Sequence, residues 1–227
     1  MEQSYRVQEL LNGLRHAAGA GELRRWAQRC AHLLGLEGLA VSLRPGAELV
    51  WFSHHASARL ADLQVTLGQG PVFDDNSGSW PRQATDLESG EGGRWDRFAA
   101  EATTLGVRAV FVWPVRFGDA RLGTLTGHRR TPGALSTAQA SHGLHVADVL
   151  AGHVLAWNPH IDRPGEGPGA MGAVGLHRIE VHQATGVLSA RLGVSLDEAL
   201  LRLRARAFAT DRSLTDTAHT IMRELDQ

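Results

Sequence analysis

Three short amphipathic helices are predicted at the end of this 227-residue chain, and the residues indicate where each begins and ends. Apolar residues recur at helical spacing from residue 176 to residue 192, and Gly193 follows, a residue that accepts the left-handed conformation of many helix ends. Ser195 with Glu198 predicts the start of the second helix, because each side chain can bond a free backbone N–H of the first turn. Ser213 predicts the third start. The tail should therefore form a small helical module.

A segment rich in proline and glycine separates this tail from the rest of the chain. Residues 158–172 contain three prolines and four glycines, a composition that interrupts both helices and strands. All six tryptophans lie before this segment. The sequence therefore predicts an N-terminal domain over residues 1–157, a linker over 158–174 and a C-terminal domain over 175–227, sizes that are ordinary for domains.

The N-terminal region combines helical and strand patterns. Helices are predicted at residues 4–18, 21–34, 58–67, 95–105 and 136–157, and strands at residues 38–43, 48–54, 109–117 and 122–129. The last helix is predicted to begin with a cap over residues 136–139, with Ser136 at its start. Turn residues at 44–47 and at 118–119 join the strands into two hairpins. We expect an α+β domain, in which helices flank a mainly antiparallel sheet, followed by the all-α tail.

Composition limits the classes of function. The formal net charge is -1, so the whole chain has no general attraction for nucleic acid or anionic membranes. Its positive side chains are all arginines, which make planar, bidentate contacts with carboxylates and phosphates. The single cysteine, Cys30, lies in a helical pattern and is predicted to be a buried structural thiol. Neither a signal peptide nor a membrane-spanning run is evident, which predicts a cytoplasmic protein.

Two regions resemble known domain families. In the N-terminal region the relevant segments are LGQGPVFD at 67–74, RWDRF at 94–98, GVRAVFVWPV at 106–115 and LGTL at 122–125. In this order they resemble a bacterial GAF sensor domain. In the tail they are HQATGVL at 182–188, LGVSLDEAL at 192–200, LRARA at 203–207 and LTDTA at 214–218. These resemble an ANTAR domain, a three-helix RNA-binding module of transcription antiterminators.

The resemblance implies a signal-responsive regulator without a cofactor. Proteins of this layout bind hairpins in nascent transcripts, usually as homodimers, and their sensor domain controls exposure or pairing of the RNA-binding helices. The sequence departs from the family at Thr185, where many ANTAR domains carry a lysine, so one positive charge is missing.

Candidate RNA-binding residues lie on the first two tail helices. They are Gln183, Thr185, Arg191, Arg202, Arg204 and Arg206. Guanidinium groups can bond phosphates and stack on splayed loop bases. The tail carries seven arginines and seven acids, so its net charge is zero. A solvated helix face with local ion pairs, such as Glu198 with Arg202, is the alternative interpretation.

The sequence contains no convincing catalytic or metal-binding motif. Its histidines lack the spacing of a ligand set, and the glycine-rich stretches lack the residues of a phosphate-binding loop. We therefore predict neither an enzyme nor a metal site. A small-molecule pocket lined by aromatic residues is a further hypothesis, with core packing as the alternative. The candidates are Trp51, Phe73, Trp95, Phe111 and Trp113.

Two other functions stay open. In the first, the protein is a ligand-binding or scaffolding dimer whose tail mediates protein association only; the neutral tail and Thr185 favour it. In the second, the tail is a DNA-binding unit, since helix pairs also form helix-turn-helix motifs. Against this, the final helix offers only Arg223 and His219 to a groove.

Overall fold

The computed structural model describes residues 2–43, 48–74, 81–89, 95–156, 179–210, 212 and 214–224. The helices are α1 (Glu2–Arg15), α2 (Ala20–Leu33), α3 (His55–Leu67), α4 (Asp96–Thr104), α5 (Thr137–Ala156), α6 (Ile179–Leu192), α7 (Leu196–Ala209) and α8 (Leu214–Arg223). The strands are β1 (Gly38–Leu43), β2 (Glu48–Phe52), β3 (Arg82–Ala84), β4 (Ala109–Phe117) and β5 (Ala120–Arg129). The predicted turn at 44–47 and the predicted linker at 158–174 lie outside the described residues.

The strands form one five-stranded antiparallel sheet in the order β2-β1-β5-β4-β3. This confirms the predicted combination of an antiparallel sheet with helices. The sequence analysis missed β3, because the strand has three residues and lies in a polar stretch without alternation. The turn between β4 and β5 contains Gly118, whose φ of 56° lies in the region that favours glycine.

Alternate residues of β4 face two different cores, as the period of a strand requires. Phe111 and Trp113 belong to a cluster on the face covered by α1, α2 and α5. Val110 and Val112 belong to a cluster with residues of α3 and α4 on the other face. Helices therefore cover both faces of the sheet, and each face buries its own apolar set.

Close packing of α5 on the sheet depends on a glycine. A Cβ at Gly143 would collide with the Trp113 indole ring, so only glycine lets the helix approach this closely. The Trp113 indole N–H donates to the Ala140 carbonyl oxygen at 3.0 Å, which satisfies the polar atom of an otherwise buried ring.

The start of α5 carries the side-chain cap that its sequence predicts. The Gln139 N–H donates to Ser136 Oγ at 3.2 Å, and the Ser136 N–H donates to Gln139 Oε1 at 2.9 Å. The Gln139 amide also donates to the Leu34 carbonyl oxygen at 3.0 Å, which ties α5 to the end of α2. This reciprocal arrangement is a capping box.

The tail helices α6, α7 and α8 pack around a core of alanines and branched aliphatic residues. Ala184, Leu203 and Ala218 are fully buried in that core. The Glu198 N–H donates to Ser195 Oγ at 3.2 Å, which confirms the Ser195 half of the predicted cap of α7; the Glu198 carboxylate pairs with Arg202 and not with the Ser195 N–H. Gly193 follows α6 with a φ of 62°, which confirms the predicted helix end.

A membrane-spanning helix is not found among the described residues: each helix there is too short or too polar to cross a bilayer.

Candidate RNA interface

The helix α7 buries one face and presents the opposite face to solvent. Ala199, Leu203 and Ala207 are four residues apart and fully buried against α6 and α8. Because an α-helix repeats every 3.6 residues, Arg202 and Arg206 lie together on another face. Both arginines are exposed, so the structure confirms that they share a surface.

Each of these two arginines is engaged in a surface ion pair. Arg202 Nε donates to Glu198 Oε1 at 2.8 Å within α7, and Arg206 donates to Glu224 Oε1 at 2.6 Å just beyond the end of α8. The side chains of all four partners remain between 42% and 50% exposed. Exposed pairs contribute little to stability, at most about 1 kcal/mol, so a phosphate can replace the carboxylate at small cost.

Two further candidates lie on α6 and are also exposed. Gln183 lies in the first half of that helix, and Arg191 in its last turn. A cation at this end of a helix is stabilised by the helix dipole. The exposed candidates are therefore distributed over α6 and α7.

Thr185 does not belong to this surface, contrary to the sequence analysis. Its side chain is only 7% exposed, and its hydroxyl donates to the Val181 carbonyl oxygen at 2.6 Å within α6. Two neighbours on the same side of the helix, Val181 and Ala184, belong to the tail core. A residue that packs inward cannot bond a phosphate or a base.

Arg204 points away from the exposed pair of arginines and toward the N-terminal domain. Its guanidinium carbon lies 5.9 Å from the centre of the Phe73 ring, and its side chain is half-buried. Four residues further along α7, the Phe208 ring lies 3.9 Å below the guanidinium carbon of Arg97 from α4. Cation–π contacts of this kind contribute about 0.5–2 kcal/mol each.

The N-terminal domain also contributes directly to the tail core. Val65 of α3 is 4% exposed and belongs to the same apolar cluster as Val181 and Leu203. A cavity of about 470 Å³ lies beside this contact, between α3, α4 and the end of α7. The tail is therefore docked on the face of the domain that α3 and α4 form.

A second basic surface, which the sequence analysis did not assign to RNA, lies along α8. Arg212, His219 and Arg223 line an open groove together with Asp216 and Thr220. Arg212 donates to Thr220 Oγ1 at 3.4 Å. The four-residue spacing of His219 and Arg223 could have indicated a shared helix face.

The five aromatic residues proposed for a ligand pocket fall into two groups. Trp51, Phe111 and Trp113 are buried in the core beneath α1, α2 and α5. Phe73 and Trp95 pack against the core on the opposite face of the sheet. A five-stranded sheet separates the two groups, so the five residues do not line one pocket, and packing accounts for them.

The conspicuous carboxylate Asp86 has a structural role. Arg108 donates to Asp86 Oδ1 at 2.9 Å, and the Glu88 N–H donates to the same oxygen at 3.1 Å. The hydrogen bond from Arg108 holds the pKa of Asp86 below its usual range. Within the part of the chain that the structure describes, histidines, cysteines and acids do not gather into a group of three or more that could hold a metal ion.

Comparisons with known proteins bear on the two regions differently. Curated proteins gave no match to this sequence. The crystal structure of a domain described as part of a two-component sensor histidine kinase protein from Sinorhizobium meliloti 1021 is similar at 13% identity and a TM-score of 0.42. The similarity covers 61% of this chain and 92% of that chain, and at this level it carries no functional argument.

The C-terminal region gives the more specific result. Residues 176–222 match the family model of the ANTAR domain. This interval contains α6 and α7 in full and nearly all of α8, so the matched residues coincide with the three-helix module described above. The tail of this chain is thus similar to ANTAR domains, a family known for RNA-binding regulation of antitermination.

Proposed function

We propose that this protein is an RNA-binding regulator of transcription antitermination whose tail binds RNA hairpins. The observation that carries the proposal is the match of residues 176–222 to the ANTAR domain, together with the exposed pair Arg202 and Arg206 on the middle helix of that domain. The GAF-like N-terminal domain acts as the sensing or dimerising part. Catalysis and a bound cofactor are not part of the proposal, and the protein acts in the cytoplasm as a homodimer.

Local charge supports RNA binding even though the tail is neutral overall. Arg202 and Arg206 lie one helical turn apart, a spacing that lets both guanidinium groups reach the same RNA backbone or loop. Gln183 and Arg191 extend the polar surface onto α6. A phosphate can displace the Glu198 and Glu224 carboxylates from Arg202 and Arg206. The displaced carboxylates then face solvent. We therefore expect binding of moderate affinity with a clear dependence on salt.

Docking of the tail supplies a means of regulation. Contacts of Arg204 with Phe73 and of Phe208 with Arg97 occupy one side of α7. Release of the tail would free that side for RNA or for a second tail. A signal that favours the released arrangement shifts the population toward the RNA-binding form, provided that the signal binds the released form more tightly.

The test is a titration of short tandem RNA hairpins from the leader of the protein's own operon at two salt concentrations. Replacing Arg202 and Arg206 together with alanine should weaken binding and lower the salt slope by about two, since two phosphate contacts are lost. The matched control is Arg24→Ala with Arg25→Ala, which removes the same charge from two exposed positions of α2. Equal effects of both double variants would contradict a specific RNA surface on α7.

The same titration discriminates the other functions. A tail that only mediates protein association gives weak binding that does not depend on the Arg202 and Arg206 side chains. A DNA-binding tail prefers a duplex of the same sequence to the RNA hairpins. We expect the hairpins to compete better than the duplex.

A further inference from the structure

A polar cavity lies at one end of the sheet, far along the chain from the tail. It has a volume of about 340 Å³ and opens where β1 begins and β5 ends. Its polar lining comprises Gln28, His32, Glu37, His54, His128 and Arg130. Three imidazoles and a guanidinium group thus surround one carboxylate. Cationic and hydrogen-bonding groups are therefore concentrated at this end of the sheet.

The wall of this cavity contains polar atoms whose hydrogen bonds are incomplete. His128 is 3% exposed, and its Nδ1 has no hydrogen-bond partner among the described residues. Ser57 lies behind this wall and does not line the cavity; it is equally buried, and its Oγ also lacks a partner among the described residues. A buried polar atom left without a partner is costly, so it calls for an explanation such as a ligand.

A glycine makes room for these side chains. A Cβ at Gly38 would collide with Ser57 Oγ, and it would lie 3.1 Å from Ser53 Oγ and 3.2 Å from His128 Cε1. The Ser53 oxygen has a partner, since it accepts from the Leu39 N–H at 2.8 Å. The first residue of β1 is therefore shaped around a cluster of polar side chains beside the cavity.

The groups around the cavity favour a negatively charged ligand. His54 Nδ1 accepts from the Ala56 N–H at 3.2 Å, so the proton of a neutral His54 is on Nε2, where it can be donated. The cavity also adjoins the N-terminus of α3, which has 13 residues and a positive helix dipole at this end. Arg130 adds a full positive charge at the exposed rim.

The pKa of His128 depends both on its burial and on the charged groups beside it. Burial, together with the charges of His54 and Arg130, lowers the pKa of His128 to about 4, while a hydrogen bond with the Gly38 backbone opposes this shift. His128 is therefore neutral at physiological pH.

We propose that this cavity binds a small molecule through a carboxylate or phosphate group. Arg130 and the Nε2–H of His54 bind the anionic oxygens, and the buried edge of His128 bonds the remainder of the ligand. The volume lies at the lower end of the range for small-molecule sites, so the ligand is compact. The proposal concerns the N-terminal domain alone and does not depend on RNA binding by the tail.

The test is isothermal titration calorimetry of the full chain with inorganic phosphate and, in a second arm, with succinate. The two arms distinguish a phosphate from a carboxylate ligand. We expect saturable binding of at least one of them, with a dissociation constant of about 1 mM or less. Arg130→Gln should weaken that binding by about tenfold, the loss expected for a charge-assisted hydrogen bond.

Two further variants make the test specific. Glu37→Gln removes the carboxylate that lines the cavity and should tighten anion binding several-fold. Arg116→Gln removes an exposed arginine of β4 that does not line the cavity, and it should leave binding unchanged. The proposal is overturned if neither anion binds saturably, or if Arg116→Gln weakens binding as much as Arg130→Gln does.

Discussion

The cores of the N-terminal domain and of the tail differ in the size of the side chains that they bury. The domain buries large side chains completely, among them Trp113, Phe98 and Phe111. The tail core consists mainly of alanines and leucines. It also includes Val65, a residue of the N-terminal domain. The tail is therefore the smaller unit, and its core is completed by a residue of α3.

Size explains the difference. A module of about 50 residues buries a smaller fraction of its surface than a domain of about 150 residues. Small residues bring the tail helices close together but release less free energy on burial than aromatic rings do. Packing against α3 buries additional apolar surface of the tail and so adds to its stability. Single substitutions at this contact should therefore disturb the docked arrangement.

The largest expected effect is on the N-terminal core. Trp113→Ala should lower the free energy of unfolding by about 3–5 kcal/mol, because it leaves a cavity under α5 and removes the bond to Ala140. Urea denaturation followed by circular dichroism measures the change. The control is Phe117→Ala on the same strand, where the ring is 65% exposed. A similar loss in both variants would contradict the assignment of Trp113 to the core.

A substitution in the tail core should act on the tail alone. Leu203→Ala removes a fully buried side chain and should destabilise the three helices by about 2–5 kcal/mol. Hydrogen exchange should then accelerate in α6, α7 and α8, while the amides of the sheet stay protected. Leu201→Ala is the control, since Leu201 is 57% exposed. Faster exchange in the sheet as well would mean that the two regions unfold as one unit.

The stability of the N-terminal domain should depend on pH through a buried histidine. Burial lowers the pKa of His128 from 6.5 to about 4 in the folded protein. The unfolded chain therefore takes up a proton first as the pH falls. The contribution of His128 to the free energy of unfolding should be fully present above about pH 6.5. It should fall by roughly 3 kcal/mol as the pH decreases to about 4, and it should stay nearly constant at lower pH.

A variant isolates the part of this decline that belongs to His128. Burial also lowers the pKa of His153, which acts in the same direction, so wild type and His128→Asn must be compared. The variant should show a shallower loss of unfolding free energy between about pH 6.5 and 4. Parallel curves for the two proteins would contradict the assignment of a buried, neutral His128.

The smallest effect is expected at Cys30. Its side chain is fully buried, and burial raises the pKa of the thiol to about 12. The thiolate is the reactive form, so a thiol-specific reagent should not label the native protein, whereas it should label the chain in denaturant. Rapid labelling under native conditions would show that α2 separates from the sheet.

The sequence predicted the regular elements well wherever local signals were strong. The predicted strands at 38–43 and 109–117 coincide with β1 and β4, and Ser136 and Ser195 cap helices as expected. These features depend on periodicity and on neighbouring residues, which a sequence displays directly. The three-residue strand β3 depends on pairing with β4, a contact distant in the chain, and it was missed.

The candidate site was predicted less completely for a similar reason. Arg202 and Arg206 share an exposed face because of helix geometry alone, and that prediction is confirmed. Thr185 and Arg204 fit the same local pattern, but packing decides their surroundings: α6 turns Thr185 inward, and Phe73 covers Arg204. The pocket hypothesis failed because alternate residues of a strand face opposite cores, which composition cannot reveal.

We propose that the tail binds RNA through α7 and that docking on α3 withholds part of that surface. The test compares the RNA-hairpin affinity of Val65→Asp with that of His55→Asp. The first variant places a carboxylate in the tail core; the second places one at the exposed first residue of α3, which is outside that core and does not line the cavity beside it.

We expect Val65→Asp to bind RNA several-fold more tightly than His55→Asp and with a salt slope larger by about one, because Arg204 becomes available. Equal affinities and slopes, or absence of RNA binding by wild type and both variants, would contradict the proposal.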